Sequence, residues 1–218
     1  MSNIISIHGK NPQLRKINEV INVLSSGGVV VYPTDSGYAL GCLPGFKNAL
    51  QRIIRIRELD KRHLFTLLCP SIAAISQYAH ISTPAFRLIK SHTPGPYTFV
   101  LSATKEVPKS LLLSKQKTIG VRIPSHPVIL ALLEQLTLPL LNVSLILPLD
   151  DDSTEIEDSF CLQVAASCVD EVEDVLINSV DMMIDSDYCC PDPTTIIDLS
   201  GPSPLILRHG SGDLSGFS

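Results

Sequence analysis

Three arginines and a set of hydroxyls occur where the surrounding apolar pattern leaves little room for them. Between Lys47 and Glu58, Leu50, Ile53 and Ile54 form the apolar stripe of a helix, and Arg57 continues that stripe. A charge at the end of a core face is too costly to bury alone, so Arg57 must find an anion or a cleft. Arg122 poses the same problem in a strand, where alternation puts Gly120, Arg122 and Pro124 opposite Ile119, Val121 and Ile123. Arg208, the only Lys or Arg after Arg122, closes the last apolar run before Gly210. Thr34 and Ser36 follow a β-branched run. Asn142 and Ser144 share a strand face with Ile146, and Thr194-Thr195 opens a late strand. Arginines and hydroxyls in such an array recognise phosphates and carboxylates through charge-assisted hydrogen bonds. Taken alone, Pro33-Thr34-Asp35-Ser36-Gly37 is equally an ordinary turn, and Arg52 and Arg55 are expected to face solvent from other sides of their helix.

The elements that must position these residues alternate. Asn11-Pro12 predicts a helix start and Gly27-Gly28 its stop, with Leu14, Ile17, Val20, Ile21 and Leu24 at helical spacing between them. Val29 to Tyr32 reads as a strand buried on both faces. Helices are expected over Lys47 to Glu58, Ser71 to Tyr78, Pro84 to Lys90 and His126 to Leu136. An apolar run covers Leu64 to Cys69, and a loop is expected at Thr93-Pro94-Gly95-Pro96. Strands are expected over Tyr97 to Ser102, Thr118 to Ile123, Pro139 to Leu147, Val180 to Ile184, Thr194 to Leu199 and Pro204 to Arg208. The fold class is therefore α/β, with a twisted mixed parallel and antiparallel sheet covered by helices and the whole chain, 1–218, as one domain. Val169, Val172, Val175 and Leu176 suggest an amphipathic helix in a solvated excursion from that domain.

The chain has 218 residues and a formal net charge of -5. That sum conceals an asymmetry: the stretch 150–192 holds 14 acidic residues and no Lys or Arg, leaving 17 basic against 8 acidic elsewhere. Through Arg122 the count is 16 basic against 5 acidic, which predicts a basic face. Six cysteines without a CxxC pair suit a reducing cytoplasm. The amino-terminal segment has neither a cationic start nor a long apolar stretch, so neither export nor membrane insertion is expected. Gly41 to Asn48 misses the P-loop spacing, and GxGxxG, GxSxG and HExxH are absent, so no metal site is expected from a motif.

Five segments carry a resemblance. Tyr32 to Gly41, Thr93 to Thr98, Gly120 to Pro127, Thr194 to Asp198 and Leu207 to Gly210 are similar, in order, to YPT(E/D)(T/S)xYxLG, PGPxT, GVR(I/M)PxHP, (S/T)T(I/V)(I/V)D and LRxG. The chain resembles the YrdC/YciO family from about Gly27 to Gly210, and the match lapses mainly in the acidic stretch. The resemblance implies a YrdC-like sheet with a basic concave surface, and synthesis of L-threonylcarbamoyladenylate from ATP, threonine and bicarbonate, linked to a tRNA adenosine modification, with ATP as substrate and Mg2+ accompanying it. It implies that Thr34 and Arg122 hold the amino acid. Arg57, Thr118, Ser144, Thr194 and Arg208 would line the nucleotide and threonine sites, with Arg57 and Ser144 nearest the chemistry.

Synthase members carry KxR and, much later, SxN. Here Arg55-Ile56-Arg57 and Ser144-Leu145-Ile146 stand at those positions, and the RPxxKP pattern is absent between Arg57 and Thr66, which is more similar to the YciO branch. Arg55 keeps a charge for phosphate, whereas Ile146 removes a hydrogen-bonding group that Asn142, on the same face, would have to replace. The resemblance thus implies synthase-like, weak or hydrolytic adenylate chemistry. The alternative is a protein that binds tRNA or double-stranded RNA without catalysis. A monomer or a dimer is compatible with either.

Overall fold

A computed structural model describes residues 3–60, 63–112, 117–146 and 165–217. The chain forms β1 (Ile4–Ser6), α1 (Leu14–Ser25), β2 (Val30–Thr34), β3 (Gly37–Cys42), α2 (Lys47–Ile56), β4 (Thr66–Leu68), α3 (Ile72–Tyr78), α4 (Thr83–His92) and β5 (Tyr97–Ser102). It continues with β6 (Thr118–Arg122), α5 (Pro127–Gln135), β7 (Leu140–Ser144), α6 (Glu173–Leu176), β8 (Met182–Asp185), β9 (Thr195–Asp198) and β10 (Leu205–Arg208). The ten strands form one sheet in the order β1-β8-β2-β3-β7-β4-β6-β5-β9-β10. Pairs β1/β8, β2/β8, β4/β6 and β5/β9 are parallel; the others are antiparallel. This is the mixed, helix-covered sheet that the pattern predicts.

Strand alternation divides the core between two faces. Val30, Tyr32, Leu68 and Leu140 meet Ile17, Val20 and Leu24 of α1 and Val128, Ile129 and Leu132 of α5. Val29, Val31, Leu67 and Leu141 meet Leu50 and Ile53 of α2, Ile75 of α3 and Ile89 of α4. Val29 to Tyr32 is fully buried because β2 is an inner strand with α1 and α5 over one face and the larger core over the other. Among the described residues no helix is long and apolar enough to cross a membrane.

Several expectations need correction. Helix α1 begins at Leu14, and Asn11 does not cap it; the amides of Lys10 and Asn11 instead donate to His8 Nδ1 at 3.2 Å, which draws those residues into a turn. The Tyr32–Gly37 segment is the end of β2 and a hairpin into β3, a strand the turn chemistry masked. Gly37 makes that hairpin possible, with φ +83° and no room for a Cβ, which would meet the Ala165 methyl at 2.7 Å. The expected excursion helix shrinks to α6. Val169, Val172 and Leu176 join the main core, whereas Val175 is 68 % exposed, so these valines do not form one buried helical face. The first part of the acidic excursion, 150–164, which includes Cys161, lies outside the described residues together with Leu147.

Candidate functional site

Helices α1 and α5 leave part of their face of the sheet uncovered. There Asn142 of β7, Thr66 of β4 and Gly120 of β6 stand in register. Gly120 is required by close approach: a Cβ there would lie 2.7 Å from Thr66 Oγ1. A cavity of about 230 Å3 opens beside this row. Arg57, Arg122 and Arg208 all line it, as do Thr66, Thr98, Thr194, Asn142 and Ser144, and among the described residues no carboxylate lines it.

Each arginine is held differently. Arg57 follows the last turn of α2; its Nε donates to the Ser144 carbonyl at 2.8 Å and its Nη1 to the Ile146 carbonyl. Those acceptors, at the end of β7 and two residues beyond it, carry no formal charge, and among the described residues no carboxylate pairs with Arg57. Arg122 is 2 % exposed. Its Nη2 pairs with Asp35 Oδ1 at 2.6 Å and its Nη1 donates to Ser36 Oγ at 2.7 Å, while Nε is buried without a partner. Arg208, on the edge strand β10, donates from Nε to the Thr194 carbonyl at 2.9 Å and from Nη2 to Thr194 Oγ1 at 3.0 Å. Thr194 Oγ1 also lies 3.1 Å from Thr98 Oγ1. Burial lowers the pKa of all three guanidiniums; Arg122 adds repulsion at Arg208, and Asp35 partly offsets the effect at Arg122. Desolvated like charges without carboxylates between them make a receptor for an anion.

The cavity thus brings together Arg57, Arg122, Asn142, Ser144, Thr194 and Arg208 from five separate stretches of sequence. Thr34, Arg55 and Thr118 are not among its lining residues. Thr34 spends its hydroxyl on the hairpin, donating to the Gly37 carbonyl at 2.6 Å and accepting from the Ser36 amide at 3.1 Å. Arg55 is exposed. Thr118 lies opposite Ser102 at the other end of β6, its buried hydroxyl unpartnered. Arg52, expected in solvent, pairs with Asp181 at 2.6 Å and donates to the Ser179 carbonyl at 2.9 Å. Asn142 Oδ1 accepts from Tyr32 Oη at 2.9 Å, which fixes the amide against β2.

Sequence reasoning overlooked His63, Thr66 and Thr98 in the lining. Thr98 could have been found from its place at the end of PGPxT, and Thr66 from its alternation with Leu67. His63 precedes β4 in a segment without periodicity and gave no such signal. Asp35, the anion that Arg122 finds, was legible only as a turn residue.

The Sua5/yciO/yrdC family model, described as telomere recombination, matches residues 22–210. Escherichia coli YciO is 47% identical over 217 residues, covering 100% of both chains, and its crystal structure superposes with a TM-score of 0.90 over 100% of both chains. A threonylcarbamoyl-AMP synthase from Hydrogenovibrio crunogenus is 32% identical over 151 residues, covering 67% of this chain and 81% of its own. Pyrococcus abyssi Sua5, crystallised with L-threonine, shares the fold at a TM-score of 0.82 and 24% identity, covering 95% of this chain and 57% of its own. With strands β2 to β10 and every described wall residue of the arginine cavity inside the matched region, this chain belongs to the Sua5/YciO/YrdC family.

Proposed function

We propose that the arginine cavity binds ATP, threonine and bicarbonate and forms threonylcarbamoyl-AMP, the intermediate whose synthesis names its more distant relatives, in support of tRNA modification in the cytoplasm. The observation that carries this reading is the convergence of Arg57, Arg122 and Arg208 on one cavity with no carboxylate among its described lining residues. At about 230 Å3 the cavity is below the roughly 300–1,000 Å3 of sites that enclose a drug-sized ligand, so it suits the phosphoryl and amino-acid ends while the nucleoside extends outward.

In this reading a carbamate oxygen attacks the α-phosphorus and pyrophosphate leaves, with no side-chain nucleophile. Catalysis comes from positioning and from donors aimed at the charge that builds on the phosphoryl oxygens. Arg57, fixed by the Ser144 and Ile146 carbonyls, and Arg208, fixed by Thr194, face that charge. Arg122 adds a third guanidinium, itself engaged by Asp35 and Ser36. Mg2+ is ordinarily held by one or two carboxylates in addition to phosphates. Among the described residues the lining has no carboxylate, so these side chains by themselves do not fit a resident Mg2+, and no step is assigned to one.

The test is to incubate the protein with ATP, threonine and bicarbonate and to measure pyrophosphate and the adenylate by mass spectrometry. Arg57→Ala is expected to lower both about ten- to a hundredfold, the worth of a charge-assisted contact. Neither product above the Arg57→Ala level, together with no thermal shift on adding ATP, would overturn the reading.

A further inference from the structure

We infer that His63 is the proton acceptor of the cavity, taking from the substrate's ammonium group the proton it must lose before its nitrogen can attack carbon. This rests on the reading of the cavity as a site that joins an amino acid to bicarbonate.

The lining supplies one suitable group. Among the described residues it contains, beside three guanidiniums, hydroxyls, an amide, aliphatic side chains and a single imidazole, and of these only the imidazole exchanges a proton near neutral pH. The neighbouring carboxylate Asp35 is committed to Arg122.

The ring is placed by packing. It lies edge-on to Phe65, with centroids 5.1 Å apart and planes at 75°, and the His63 amide donates to the Asp60 carbonyl at 3.3 Å. Among the described residues neither ring nitrogen makes a hydrogen bond, so both are available to a ligand. Burial and then the Arg57 charge lower the imidazole pKa, with Asp60 acting in the opposite direction. The ring is therefore neutral at pH 7 and competent as a base.

The same three cations act on the substrate. An ammonium entering among guanidiniums is destabilised by like charge and is driven to release its proton. In the step assigned here the N–H bond breaks and its proton moves to an imidazole nitrogen of His63. The freed amine attacks the bicarbonate carbon; the N–C bond forms, a C–O bond breaks, and one water leaves with the second nitrogen proton and the bicarbonate hydroxyl. The product is a carbamate, and His63 returns its proton to solvent once pyrophosphate has gone.

The experiment compares wild type, His63→Gln and His63→Ala for pyrophosphate release across pH, with the ATP-induced thermal shift as the check on folding and nucleotide binding. Wild type should lose rate on acidification with a midpoint below the ordinary imidazole value of about 6.5. His63→Gln should fall by about 10²–10⁴-fold and lose that acidic limb, while its ATP shift persists. Added imidazole should restore part of the rate of His63→Ala, a rescue that a purely structural ring could not show. The inference is overturned if His63→Gln keeps the wild-type rate and limb, or if it loses the ATP shift along with its activity. If wild type itself releases no pyrophosphate, the substrate reading falls and takes this assignment with it, a failure visible without any variant.

Discussion

Asp35 Oδ1 and Arg122 Nη2 lie 2.6 Å apart in the interior, with side-chain exposures of 14% and 3%. The pair ties the β2–β3 hairpin to the end of β6, and Ser125 Oγ adds a hydrogen bond to the other Asp35 oxygen at 3.0 Å. An arginine that the strand pattern marks as needing an anion thus finds one within the fold. Breaking such a pair from one side leaves a buried uncompensated charge, so Asp35→Ala should lose about 3–5 kcal/mol of stability in urea unfolding. Asp35→Ala/Arg122→Met, which removes both charges, should recover much of that loss. A single variant as stable as wild type would show that the pair does not hold the hairpin.

Arg208 offers the contrasting case. It stands on an exposed edge strand and is held only by Thr194, so its removal strands no buried partner charge. Arg208→Ala should therefore change unfolding stability by no more than about 0.5 kcal/mol, yet reduce the thermal shift that ATP produces. An unchanged ATP shift would remove Arg208 from the binding surface.

These two arginines also mark how far the sequence could be read. Alternation assigned Arg122 to the polar face of β6 and Ile119 and Val121 to the core, as they stand. It could not supply the partner, because Asp35 lies far away in sequence and a Pro-Thr-Asp-Ser-Gly run has the local chemistry of a turn. The same local chemistry hid β3, whose two glycines and proline-terminated end weaken a strand pattern. His63 escaped for another reason: it becomes a wall residue only because β4 inserts between β7 and β6, an order that no periodicity encodes.

His126 makes stability depend on pH. Its Nδ1 accepts the Val128 amide at 3.3 Å and caps α5, and its Nε2 lies 3.9 Å from Cys189 Sγ. Burial lowers its pKa, opposed by Asp35 and Asp187, and burial pushes the Cys189 thiol up to about 12, so the pair is uncharged at neutral pH. With the folded pKa below the unfolded value of about 6.5, the unfolded chain binds more protons on acidification. Stability from this group is complete above that value and is lost as pH falls from it toward the folded pKa. The urea midpoint should drop between neutral and mildly acidic pH, and His126→Asn, which retains a capping side chain, should flatten the part of that drop due to this residue. An identical pH slope in wild type and variant would rule the cap out as its source.

Ile146 tests whether the departure from the synthase pattern limits the site. Its backbone is engaged: the carbonyl accepts from Arg57 Nη1, the amide donates to the Ser144 carbonyl at 3.1 Å, and the residue bridges to Ala165. The side chain lines the cavity and is only half-buried, so an amide can replace it without disturbing those bonds or opening the core. Asn142 is not an obvious substitute, because its Oδ1 is already taken by Tyr32. Ile146→Asn should therefore add the missing donor or acceptor beside Arg57 and Ser144, strengthening ATP binding or raising pyrophosphate release by about tenfold, the scale of one well-placed hydrogen bond. If the variant folds with an unchanged urea midpoint but gains neither, the weakness of the site lies elsewhere, and Arg55, which points away from the cavity where synthases carry a lysine, becomes the residue to restore.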